Sequence, residues 1–185
     1  MSLLTIVQDA LGEVGGFEVP SSVVGNTNET AKRCLAITNR SLKETAKRIK
    51  WPGLKVRATL TTVASQEEYT LPSDFQMYIN NTFWDDTNNR AVLGPASDAE
   101  WEYMQSSDLA DNELATWFKF IRGTSTNDKT IYLYPIPSSV RTLYYWYKSD
   151  ALTQTSGGTL QNDKFLADTD TATIDEDIVL LGYRS

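Results

Sequence analysis

Residues 45–61 read Thr45-Ala46-Lys47-Arg48-Ile49-Lys50-Trp51-Pro52-Gly53-Leu54-Lys55-Val56-Arg57-Ala58-Thr59-Leu60-Thr61. Before Trp51 the apolar positions recur at helical spacing; after Gly53 they alternate. Pro52 cannot continue a helix and Gly53 has no side chain to hold one, so Trp51-Pro52-Gly53 ends the first regime. One chain that changes period at a marked stop predicts a mixed α+β protein.

On the N-terminal side the spacing predicts a helix from about residue 26 to the stop. Asn26 is the expected N-cap, with Glu29 three residues on. At about 100° per residue, Ala31, Cys34, Leu35, Thr38, Leu42, Thr45, Ala46 and Ile49 share one side. The other side carries Lys32, Arg33, Arg40, Lys43, Lys47, Arg48 and Lys50. Against Glu29 and Glu44 these seven leave +5 on one helix in a chain of net charge −7. Upstream, Leu3, Leu4, Ile6, Val7, Ala10, Leu11 and Val14 form one arc of a first helix that Gly15-Gly16 terminates.

On the C-terminal side, strands are expected at residues 56–63, 76–84, 116–122, 130–134 and 141–148, with a short helix from Asp98 opened by Ser97 and Glu100. Pro135 and Pro137 end the 130–134 strand because proline cannot donate to a ladder. Residues 149–163 are polar, hold Gly157-Gly158, and are expected to be a flexible connection. A last short helix is expected at 178–183, after Thr173-Ile174-Asp175-Glu176. The organisation expected is a small helical domain from both chain ends (1–53 and 164–185) around a β-rich antiparallel insertion (54–148).

Composition removes most chemistries. The 185 residues include 1 Cys and 0 His, which excludes disulfides, thiolate-rich zinc sites, Ser-His and Cys-His nucleophile pairs and the HExxH motif. No Gly-rich phosphate loop is present, and no cofactor is expected. At 41% hydrophobic, with 5 Trp, 9 Tyr and 6 Phe, the chain can build a core. Its longest purely apolar run, residues 178–181, is far short of a bilayer span, so no membrane association is expected. Neither a signal peptide nor a general DNA-binding surface is expected from an acidic chain of this kind.

Three constellations have both a functional and a structural reading. The basic helix face reads first as a solvated face that keeps the helix soluble; as a partner surface it fits an acidic protein better than DNA, because no aromatic residue interleaves its cations. The carboxylates Asp98, Glu102, Asp168, Asp170, Asp175, Glu176 and Asp177 are explained in part as helix caps. An EF-hand count from Asp168 meets Thr173 and Val179 where Gly and Glu are required. Neither a catalytic pair nor a metal site is therefore expected. The run Leu143-Tyr144-Tyr145-Trp146-Tyr147 reads as a strand buried on one face, with a sugar-stacking platform as the alternative.

Two segments carry a family resemblance. Tyr69-Thr70-Leu71-Pro72-Ser73-Asp74-Phe75 resembles the Y-x-L-P-x-D-F stretch of tailed-bacteriophage head-to-tail adaptor proteins, the connector and tail tubular proteins of short-tailed phages. Leu133-Tyr134-Pro135-Ile136-Pro137 and the aromatic strand after it are similar to that family's L-x-P-x-P and Y-x-Y. The resemblance gives Tyr69, Leu71, Pro72, Asp74, Phe75, Pro135 and Pro137 structural roles. It implies a non-enzymatic virion protein assembled in the bacterial host cytoplasm. Copies would form a ring, typically a dodecamer, whose helical part docks on the portal protein and whose β-rich part faces the tail nozzle or tube. Double-stranded DNA would pass through the lumen without specific binding. The expected partner interface combines the seven basic residues with Ile178, Leu181 and Tyr183. The alternatives are a host-adsorption or carbohydrate-binding virion module and, further off, a peptidoglycan hydrolase.

Overall fold

The computed structural model describes residues 1–48, 52–106, 115–122, 129–160 and 163–174. Ile49, Lys50, Asp175, Glu176, Asp177, Ile178, Leu181 and Tyr183, and with them the expected helix at 178–183, lie outside the described residues. In chain order the elements are α1 (Leu3–Val14), α2 (Glu29–Arg48), a 3-10 turn (Pro52–Leu54), β1 (Lys55–Thr61), β2 (Glu68–Thr70), β3 (Phe75–Tyr78), β4 (Trp84–Asp85), β5 (Arg90–Leu93), α3 (Asp98–Ser106), β6 (Thr116–Arg122), β7 (Lys129–Tyr134), β8 (Thr142–Ser149), β9 (Thr153–Gln154) and β10 (Thr171–Ala172). The chain is mixed α+β. It divides into two compact units, Met1–Lys55 with Ser149–Ser185, and Val56–Lys148.

In the first unit, α1 starts where the Ser2 side chain accepts from the Thr5 amide and stops at Gly15, which adopts a left-handed φ of 69°. Its buried residues Leu3, Ile6, Val7, Ala10 and Leu11 follow the expected arc. For α2 the cap is Asn28, whose Oδ1 accepts from the Thr30 amide at 2.8 Å. Asn26, the expected cap, instead accepts from the Asn28 amide and shapes the turn before the helix. Leu3, Ile6, Leu42, Leu54, Leu152 and Phe165 share one core.

The C-terminal stretch joins this unit differently from expectation. Ala151, Leu152 and Thr153 are buried, and β9 pairs antiparallel with β10. Residues 151–154, within the stretch expected to be a flexible connection, are thus held by burial and by a ladder. The burial of Leu152 and the ladder it leads into outweigh the polar composition around them. Over 163–174 the described chain returns through turns and the short strand β10, upstream of the helix expected at 178–183.

The second unit is an eight-stranded sheet in the order β1-β8-β4-β5-β6-β7-β2, with β3 also pairing with β8. It is mostly antiparallel, but β5 and β6 run parallel, a departure from the all-antiparallel insertion expected. The reason is α3, which supplies the crossover that a parallel pair requires. The capping box at its start forms as the spacing predicts: Glu100 accepts from the Ser97 amide at 2.8 Å, and Ser97 Oγ accepts from the Glu100 amide. The strand expected over 76–84 is two strands, β3 and β4. Asn81, at φ 60°, turns the chain between them, and Tyr78 Oη accepts from the Thr82 and Phe83 amides. Phe75, Tyr78, Phe83, Phe118, Phe120, Tyr145 and Tyr147 form a connected set of aromatic contacts in the core.

Candidate functional site

The two sequence motifs meet in space. Tyr69 buries its ring while its hydroxyl donates toward the Gln66 carbonyl at 2.7 Å and accepts from the Val63 amide. It thereby closes the turn between β1 and β2, where Ser65 has a left-handed φ of 65°. Burial pushes the Tyr69 phenol above its ordinary pKa. Leu71 is buried, and Phe75 stacks on Tyr147 with centroids 5.4 Å apart. Asp74 accepts from Tyr147 Oη, and the Pro137 carbonyl accepts from the Ser65 amide at 2.8 Å. Pro135 follows directly on β7, where proline ends a ladder as expected. The short, separated motifs are one clasp.

The basic face of α2 is exposed but not bare. Arg33 pairs with Glu29, and Arg40 with Glu44 at 2.8 Å; Arg48 reaches the same Glu44 at 3.9 Å, and Lys43 pairs with Asp163. The hydrogen bond from Arg40, reinforced by its charge, holds the Glu44 carboxyl below its usual range. Among the described residues neither Lys32 nor Lys47 is in an ion pair, although the Lys47 charge adds to the lowering of Glu44. Exposed pairs of this type are worth little individually, so the face remains a cationic surface laced by weak pairs.

The carboxylates do architectural work. Asp168 accepts from the amides of Val23 and Val24, the latter at 2.7 Å, across more than 140 positions. Asp170 accepts from the Leu166 and Ala167 amides at 2.8 Å. Backbone carbonyls of the same two residues take the Leu4 and Leu3 amides, two of the donors that a helix start leaves open. Asp98 pairs with Lys119 at 2.9 Å. Glu102 is exposed on α3. No cluster of three His, Cys, Asp or Glu that could hold a metal occurs among the described residues, and none of their helices is long and apolar enough to cross a membrane.

A family model, SU10 adaptor protein, matches residues 1–180. The chain belongs to the SU10 adaptor protein family. The head-to-tail adaptor resemblance carried by the clasp agrees with this, and the chain is a structural adaptor component of a phage virion that interacts with head and tail components. No curated protein matches it.

This SU10 adaptor family member also has a sheet face that its sequence only half discloses. In β8, Leu143, Tyr145 and Tyr147 point into the core while Tyr144 and Trp146 point outward. Trp84 of β4 is the cross-strand partner of Tyr144, so the two rings share the outer face. Trp84 and Trp146 are 44% and 41% exposed. Arg57 of β1 lies over the Tyr144 ring, 3.9 Å from its centroid. Alternation along 143–147 predicts the outward residues of β8. Nothing local places Trp84 beside them, because that neighbour is set by strand order.

Proposed function

We propose that the protein is a head-to-tail adaptor that assembles beneath the portal as a ring, of twelve copies in keeping with its family resemblance. The part made from the two chain ends docks on the portal, and the β-rich part faces the tail tube or nozzle. DNA passes through the lumen of the ring. The match over residues 1–180 carries this reading, and the clasp uniting both motifs supports it. Work of this kind depends on interfaces rather than on bond chemistry, so no enzymatic activity is proposed.

In this reading the cationic face of α2 meets an acidic surface of the portal. Lys32→Glu combined with Lys47→Glu tests it, because neither lysine is in an ion pair among the described residues. Portal co-sedimentation should weaken and lose its salt dependence while the melting temperature holds. Unchanged attachment and unchanged salt dependence would remove α2 from the interface. Imaging the portal vertex of intact particles tests the adaptor role itself.

The exposed rings of Trp84, Tyr144 and Trp146 support a second reading, a carbohydrate-binding module for host adsorption. Glycan-array binding that disappears with Trp146→Ala would favour it over the adaptor.

A further inference from the structure

Two exposed surfaces of this chain have complementary chemistry. The first is the outer sheet face. Its outward positions on β8, β4 and β1 include Tyr144, Trp146, Trp84 and Arg57, with Lys148 two residues beyond Trp146, and no carboxylate among the described outward positions of these strands. Aromatic rings with an arginine are the composition that concentrates binding energy at protein interfaces. The second surface is the loop after α1. Val14, Phe17 and Val19 are 63%, 54% and 48% exposed, and Glu18 between the last two is exposed as well. Residues 1–31 contain no lysine or arginine. Beside this loop lies a cavity of about 270 Å³ lined by residues that include Glu18, Val19, Pro20 and Ala31. The loop is held at its base, where Gln8 donates to the Pro20 carbonyl and Asp168 accepts from Val23 and Val24.

We propose that the sheet face of one copy receives the Phe17–Glu18–Val19 loop of a second copy. This rests on the reading of the protein as a multi-copy adaptor and names the surfaces by which copies meet. The occupant is a second copy because the chain itself carries an apolar, acidic projection matching an apolar, cationic face. The two patches are different surfaces, so the contact is heterologous, the type that generates a ring when the rotation closes. Trp146 and Trp84 bury against Phe17 and Val19, and Arg57 faces Glu18.

The test is a disulfide trap between two populations of the full chain. One carries Phe17→Cys and the other Trp146→Cys; both positions are exposed and the native Cys34 is buried. The mixed disulfide should form in large excess over a control pairing Phe17→Cys with Tyr103→Cys, an exposed site on α3. Adding Glu18→Lys to the loop partner should lower the yield, and adding Arg57→Glu to the sheet partner should restore it. Equal yields for trap and control overturn the proposal. So does glycan binding lost with Trp146→Ala, which makes the face a sugar platform. Sedimentation velocity of the unmodified chain separates the two failures. Copies that associate without this cross-link meet elsewhere and leave the adaptor reading standing. Absence of the protein from the virion vertex removes that reading whatever the cross-link shows.

Discussion

Tyr147 Oη lies 2.9 and 3.0 Å from the two carboxylate oxygens of Asp74, to which its hydroxyl donates. The residues are 73 positions apart and belong to the two motifs that carry the family resemblance. A neutral donor on a carboxylate in a partly buried site contributes more than an ordinary hydrogen bond, about 1.5–3 kcal/mol. Tyr147→Phe keeps the stacking on Phe75 and removes the hydroxyl that makes this bond. It should therefore lower unfolding free energy by about 2 kcal/mol in urea titration, while Trp146→Phe on the outward side of the same strand should change it by less than about 0.5 kcal/mol. Equal effects would mean that the clasp does not depend on the hydroxyl.

Alkaline pH should open the β-rich unit. Burial, reinforced by the Asp74 charge, pushes the Tyr145 phenol far above its ordinary range, and burial raises Tyr69 as well. The folded state thus holds these protons more tightly than the unfolded chain. Their contribution is complete below the unfolded value of about 10 and is lost as pH rises toward the folded value. Melting temperatures followed above about pH 10 should fall, and Tyr145→Phe should flatten that fall. A variant with the same alkaline slope as the parent would assign the loss to other groups.

Acid should act on the helices instead. Glu44 is held low by the hydrogen bond from Arg40 and then by its charge; Glu100 is held low by the Ser97 amide and then by its hydroxyl. A lowered folded pKa gives stability that is present above the unfolded carboxylate value and lost as pH falls through the folded one. Both sites are exposed, so the effect should be small and salt-sensitive at Glu44. Circular dichroism between about pH 5 and 2 should show a shallower helical loss in Glu44→Gln with Glu100→Gln than in the parent, which starts from higher helicity.

Asp168→Ala should loosen the loop that precedes α2. It strands the Val23 and Val24 amides, of which Val23 is almost fully buried. Leaving such donors without a partner costs about 2–3 kcal/mol. Limited proteolysis should shift to residues 15–28, and Asp168→Asn should recover part of the protection. Cleavage unchanged in the alanine variant would show that the loop is anchored by other contacts.

Gly94→Ala should disturb the parallel pairing of β5 with β6. Gly94 has φ 139°, and a Cβ there would sit 2.6 Å from the Phe118 carbonyl oxygen, which is backbone and cannot swing away. A loss of about 1–3 kcal/mol is expected, read as a lower midpoint in denaturant with an unchanged slope.

Both long helices are legible in the amino-acid order alone. The 3.6-residue spacing over 3–14 and 29–48 marks them, since one stripe of each has to face a core. Ser97 and Glu100 announce α3 through a cap that depends on four neighbouring residues. The candidate interface is legible as composition: the cations of α2 are where helical geometry puts them. Their pairing is less so. Arg40 with Glu44 follows from an i,i+4 spacing, whereas Lys43 with Asp163 depends on a segment far along the chain.

Local periodicity determined which residues of this chain form helices, where the change to strands falls, and which side of each element is apolar, because those properties are set within a turn or a pleat. Tertiary structure alone decided that Asp74 would meet Tyr147, that Trp84 would lie beside Tyr144, and that the polar stretch after β8 would enter a core. Each depends on strand order or on burial shared between distant segments, and an amino-acid sequence carries that information only through the collective packing of the whole chain.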